Sequence, residues 1–316
     1  MDVRGRAAAE PVGDVRATLG EGPYWLPGDG ILLWVDIHKG LLHRTDVDSG
    51  KTDSVELEQA SAAFPVIGGG TLVAAGHRLY LFGDSPGDQG NGEEPRVVAE
   101  APARDGVRFN DGAVDPAGRV WIGSMDTDEA RPLGDLYRLE STGTLTRALK
   151  GVTVSNGMAW SPDGSRMYYV DSPSCRIDVF DYDPASGGAY RRRVFADLRE
   201  ADGRPDGLTV DADGCVWVAM WGGAALRRFQ PSGRPDVLLP VPVARPTSCA
   251  FGGPDLADLY VTTASIGLSE TARTAQPLAG RLLRLRPGPI GLPSACAEAF
   301  VAGVLPDEPV GDSASD

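Results

Sequence analysis

The chain has 316 residues, 42% of them hydrophobic, with 41 glycines, 25 prolines and a net charge of −14 from 44 acidic and 30 basic side chains. That charge excludes a phosphate-backbone partner, which needs clustered Lys and Arg. The glycine and proline content favours many short strands and turns over long helices.

At the N-terminus, MDVRGRAAAEPVGD lacks the apolar core of a signal peptide, and no later run reaches the length of a membrane span. Cys175, Cys215, Cys249 and Cys296 show no CxxC spacing and read as reduced thiols. A cytoplasmic protein without membrane contact is expected.

One pattern then recurs along the chain: a short apolar strand, a turn and a second apolar strand. It opens at Gly22 (GPYWLPGDGILLWVD), Gly112 (GAVDPAGRVWIGSMD), Gly157 (GMAWSPDGSRMYYVD) and Gly207 (GLTVDADGCVWVAMW). The intervals are 90, 45 and 50 residues, so a degenerate copy belongs between the first two and is found at Ala62–Phe82. A sixth copy spans Ser248–Ala264. Each copy continues into a third and a fourth alternating segment, the last pair being Arg281–Leu285 and Ala299–Val301. Six units of four strands predict an all-β, six-bladed β-propeller with four antiparallel strands per blade. It is expected to form one domain over 1–306, with about the first 15 residues irregular and a disordered acidic tail at 307–316.

Equivalent positions of successive blades face one another around a propeller's channel. Glu21, Asn110 with Asp111, Asn156 and Asp206 share one phase of the repeat, just ahead of its glycine. Asp-Gly is a common turn dipeptide and occurs seven times here, so a lone Asp206-Gly207 would read as a turn. Recurrence in four repeats reverses that reading. Carboxylates and amide oxygens gathered at one mouth suit a hard divalent cation. Three other signals are set aside. Gly83–Gly87 matches GxSxG inside a polar loop with no following helix. Asp46–Gly50 starts like a calcium loop but has Leu57 at its twelfth position. His38, His43 and His77 lack HExxH spacing and read as surface or packing residues.

LGEGPYW at Leu19–Trp25, RFNDGAVDPAGRVWIGSMD at Arg108–Asp126, SNGMAWSPD, FDYDPASG, PDGLTVDADGCVWVA and TSCAFGG follow one another in an order that resembles the senescence marker protein, gluconolactonase and luciferin-regenerating enzyme family. The resemblance runs from about Leu19 to Leu285 and implies a six-bladed propeller with one divalent metal in the channel mouth. It puts the metal ligands on Glu21, Asn156 and Asp206, and substrate contacts on Arg108 and Asn110. A further acidic substrate contact falls on Asp128, where regucalcin-like members carry Glu; Asp126 and Glu129 stand close by as alternatives. Members of known activity are mostly sugar-lactone hydrolases. The resemblance thus implies a lactone hydrolase acting on gluconolactone or a related aldonolactone, with Asp206 both metal ligand and general base. Calcium or zinc is the expected ion, and magnesium, manganese or iron(II) also suit oxygen ligation. A non-catalytic metal-binding regulatory protein, a propeller scaffold and an esterase for a non-sugar ester are the competing readings.

Overall fold

Alternation of apolar and polar residues in segments of five to eight sets the chain into short strands, each returning antiparallel on the last. The computed structural model describes residues 3–4, 7–26, 28–83, 95–140 and 142–299. The acidic tail at 307–316 and the loop from 84 to 94, which holds most of the GxSxG match, lie outside the described residues.

Six small sheets form a ring, a six-bladed β-propeller. The innermost strands are Gly20–Leu26, Ala60–Pro65, Val107–Val114, Ser155–Trp160, Arg204–Val210 and Pro246–Gly252. Each packs against the next, and the sixth packs against the first. The second strands lie between neighbouring blades and are almost wholly buried, as in Val120–Asp126 and Val216–Trp221. Trp121 and Trp217 occupy matching places there, their indole N–H groups donating to Asp115 (3.4 Å) and Asp211 (2.9 Å). The same two carboxylates accept N–H groups of their own hairpin turns, from Ala117 and Arg119 and from Asp213 and Cys215. The repeated spacing of Asp and Trp is therefore an internal tie that satisfies a buried charge.

The last blade departs from expectation. Ala299 is not in a strand, and Phe300 and Val301 lie outside the described residues. The outer edge of Leu282–Leu285 is taken instead by the N-terminal strand Glu10–Val12, antiparallel to it. Pairing the two ends of the chain closes the ring, and the proline in this strand is tolerated because the strand is an edge. The segment after the sixth blade runs beneath the channel. Ile290 and Gly291 bond to Ala212 and Leu256, while Ala297 and Glu298 bond to Pro65, Ile67 and Gly118. The four cysteines are unpaired. No helix among the described residues is long and apolar enough to cross a membrane.

The feature that positions the site is a break in strand register. Every inner strand slips against its partner at the same place: after Glu21, Ala60, Phe109, Ser155, Pro205 and Pro246. Such bulges re-aim side chains. Three of the glycines that follow the polar residues, Gly112, Gly157 and Gly207, are absent from the positive-φ positions, whereas Gly22 has φ of 54°. Gly157 and Gly207 are needed because the blades touch there. A Cβ on Gly157 would lie 2.5 Å from Leu208 N and 2.6 Å from Asp206 O, and one on Gly207 would strike Ser248. Asp163-Gly164 and Asp213-Gly214 do form hairpin turns, with φ of 68° and 77° at the glycine. Gly157→Ala is expected to lower stability by about 1–3 kcal/mol through overpacking against backbone, measured as a fall in the thermal midpoint.

Candidate active site

Six register breaks aim six positions at one end of the channel. Ser61, Asn110 with Asp111, Asn156, Asp206 and Thr247 sit within them, and Glu21 immediately precedes its own. In two blades the position carries a hydroxyl bonded within the fold: Ser61 donates to Ala74 O at 3.4 Å and Thr247 to Gly20 O at 2.6 Å. The other four blades bring Glu21, Asn110, Asp111, Asn156 and Asp206 together, each buried.

Asn156 links the group. Its amide nitrogen donates to Ser172 Oγ at 3.1 Å and to Asp206 Oδ1. Its amide oxygen is buried with no hydrogen-bond partner among the described residues. Burial, then the charges of Asp206 and Asp111, hold the Glu21 carboxyl well above the usual carboxylate range. Burial and the Asp111 charge do the same to Asp206, against the opposing hydrogen bond from Asn156. Burial pushes Asp111 up to about 6, although its carboxylate accepts the Gly112 N–H at 2.8 Å. Carboxylates raised by burial and by neighbouring negative charge in a dry space suit a cation. The unpartnered Asn156 oxygen beside Asp206 fits the same need, since hard divalent ions take oxygen donors. No three His, Cys, Asp or Glu side chains among the described residues converge into a metal cluster by themselves. The convergence here mixes carboxylates with an amide.

Arg108 lies on the same inner strand as Asn110, and its guanidinium donates to Phe109 O at 2.7 Å and Asn110 Oδ1 at 3.0 Å. Asn110 in turn donates to Ser155 O at 2.9 Å. Burial lowers the Arg108 pKa, and the charges of Glu21 and Glu129 oppose that shift. Asp128 is not brought to this group. Its side chain is 78% exposed, with Arg131 4.0 Å away. Asp126 is fully buried but spent on its own loop, accepting the N–H groups of Ala130 and Arg131. Glu129 is the acidic residue of this loop whose charge reaches both Arg108 and Asp206. It adopts φ of 55°, a left-handed conformation that nothing in the local sequence announces. Beneath the ring the channel opens into a cavity of about 340 Å³, walled by Asp111, Phe64, Met158, Leu208, Phe251 and Leu292.

The histidines stay out of this chemistry. His43 is buried against Trp34, with ring centroids 4.3 Å apart, and its Nδ1 lies 2.7 Å from Ser54 Oγ. His77 pairs with Glu100, and His38 is exposed. Asp46 folds onto its own turn, accepting from Ser49 N at 2.8 Å.

A six-bladed propeller with a buried, oxygen-rich ring at its mouth and an arginine held over it defines a small class of channel-mouth sites. Residues 19–265 match the SMP-30/gluconolactonase/LRE-like model, and the chain belongs to that family. It is 37% identical over 284 residues to a pentonolactonase of Haloferax volcanii, covering 89% of this chain and 94% of the relative. It is 33% identical over 288 residues to a 6-deoxy-6-sulfogluconolactonase of Pseudomonas putida, covering 91% and 96%. Among solved structures it is similar to regucalcin of Agrobacterium tumefaciens, described as a calcium-binding protein. That match has a TM-score of 0.86 and 29% identity, and covers 92% of this chain and 97% of the other.

The raised carboxylates carry a pH dependence. Between the ordinary carboxylate pKa of about 4 and about 6 for Asp111, the folded state binds more protons than the unfolded one, so stability falls as pH rises. In chelator the thermal midpoint is expected to drop over this window, Asp111 alone accounting for about 3 kcal/mol. Asp206→Asn should flatten the drop, and thermal unfolding from pH 4 to 7.5 measures it.

Proposed function

We propose that this protein is a divalent-metal-dependent hydrolase that opens a sugar lactone to its aldonic acid. The observation that carries the reading is the unpartnered, buried Asn156 amide oxygen among carboxylates, Glu21 and Asp206, that burial and neighbouring acids hold above the usual range. The names of the pentonolactonase and the sulfogluconolactonase relatives support a lactone as substrate.

Glu21, Asn156 and Asp206 would hold the ion, calcium or zinc before magnesium, manganese or iron(II). When bound, it supplies Lewis acidity, polarising the lactone carbonyl and making a nearby water easier to deprotonate. Asp206 acts as general base and takes a proton from that water as its oxygen attacks the carbonyl carbon. The ring C–O bond then breaks, and the departing ring oxygen receives the proton to become a hydroxyl, leaving the open-chain acid. Arg108 and Asn110 orient the lactone, their polar atoms fixed by the Phe109 and Ser155 carbonyls. Arg108 stays cationic near Glu21 and Glu129 and offers donors to a carbonyl or hydroxyl oxygen. We place the acidic substrate contact on Glu129, which is exposed like Asp128 but whose charge reaches both Arg108 and Asp206.

Stripping the protein with chelator and restoring single divalent ions, while following proton release from gluconolactone and a pentonolactone, tests the reading. Activity should return with the native ion and fall at least about 100-fold in Asp206→Ala with the fold intact. Bound metal without hydrolysis of either lactone would favour the non-catalytic metal-binding protein or a non-sugar ester substrate. For the acidic contact, Glu129→Gln is expected to raise KM for the lactone about tenfold, the worth of one charge-assisted hydrogen bond. Asp128→Asn should change KM by less than about twofold. The opposite order would return the assignment to Asp128.

A further inference from the structure

The ligand set proposed above leaves one buried carboxylate of the ring without a task. Asp111 lies in the register break between Phe109 and Gly112, so its side chain is aimed by the same device as Asn156 and Asp206. It is 9% exposed, and its hydrogen bond comes from the N–H of Gly112, the next residue in the chain. No ion pair involves it among the described residues. The one guanidinium on its strand, that of Arg108, has its Nη1 engaged by the Phe109 carbonyl and the Asn110 side chain. Asp111 also walls the cavity beneath the ring, on the channel side, while Arg108 and Asn110 serve the mouth. Its charge is felt by both Glu21 and Asp206.

A buried carboxylate without a cationic partner costs stability unless something offsets it. Purely structural carboxylates elsewhere in this fold are compensated: Asp115 and Asp211 each bind turn N–H groups, a tryptophan and an arginine. Asp111 has no such set. With Glu21 and Asp206 it brings the ring's formal charge to −3, one more than a divalent ion neutralises. Sites of this kind tune affinity by the number of charged groups around the ion.

We propose that Asp111, acting from the channel side and outside the ligand set, fixes the affinity and charge preference of the ring for its cation. The proposal rests on the metal reading above. Its consequence is a site that holds divalent ions tightly and trivalent ions more tightly still.

The test is calorimetric titration of the chelator-stripped, full-length protein with Ca²⁺ and with Tb³⁺, in wild type, Asp111→Asn, Asp111→Glu and Asp128→Asn. Asp111→Asn keeps the shape and the acceptor for Gly112 N–H and removes only the charge. Ca²⁺ binding is expected to weaken about 10- to 100-fold in that variant, as for other residues that act on a metal from behind its ligands. The preference for Tb³⁺ over Ca²⁺ should shrink with it. Asp111→Glu should keep the preference, and Asp128→Asn, which removes an exposed charge, should match wild type. The metal-free Asp111→Asn protein should melt higher than wild type at pH 7.5, whereas a merely structural carboxylate would make it melt lower. Ca²⁺ affinity within about twofold of wild type in Asp111→Asn, or an equal loss in Asp128→Asn, overturns the proposal while leaving the ring a cation site. Failure of the wild type to bind either ion removes the cation site and the proposal together.

Discussion

Everything in this molecule depends on how closely six strands crowd the axis. Around the channel, the backbone of one blade meets the backbone of the next at distances that leave no room for a Cβ on Gly157 or Gly207. The strands accommodate that crowding by slipping register at the same point in each blade. One constraint thereby does two jobs. It forces glycine at the contact, and it turns the preceding side chain out of the pleat and into the channel mouth. The polar-glycine pair that marks the site in the sequence is the imprint of blade packing as much as of chemistry.

The electrostatics follow from that geometry. Three carboxylates are delivered to one dry place, where burial raises all three and the Asp111 charge adds to the shift of Glu21 and Asp206, while Arg108 is held by neighbouring oxygens. Elsewhere the fold neutralises buried acids locally. Asp178 has Arg176 and Arg192, and Asp135 has Arg104 and Tyr137. The contrast separates acids neutralised by the scaffold from acids that it leaves without an ion pair. Glu21, Asp111 and Asp206 fall in the second group, with no ion pair among the described residues.

Much of this could be read before any coordinates. The period near 45 residues fixes the number of blades, since a unit of four short strands can hide its faces only against another such unit. The phase of Glu21, Asn156 and Asp206 within the repeat locates the mouth. Three things escaped. Glu10–Val12 has three residues, one of them proline, so no alternation betrays it as the closing strand. The register breaks involve strand pairing, which a linear pattern does not encode. The distinction among Asp126, Asp128 and Glu129 is not carried by side-chain type: Glu129 is exposed like Asp128, and its left-handed backbone, φ of 55°, and the reach of its charge to Arg108 and Asp206 set it apart.

Closure by the N-terminal strand also has a meaning for how the molecule comes to be. Glu10 meets Arg284 across 274 positions of the chain, so a strand made early is among the last to find its partner. At about 5–20 residues per second on the ribosome, that segment waits roughly 15–55 s with its edge unpaired, while the intervening blades can form from contiguous chain. Such a long-range pairing is slow to reach and comes late. Residues Glu10–Val12 therefore act as the clasp of a necklace. They contribute little to any one blade, yet the ring becomes a single cooperative object only when they fasten.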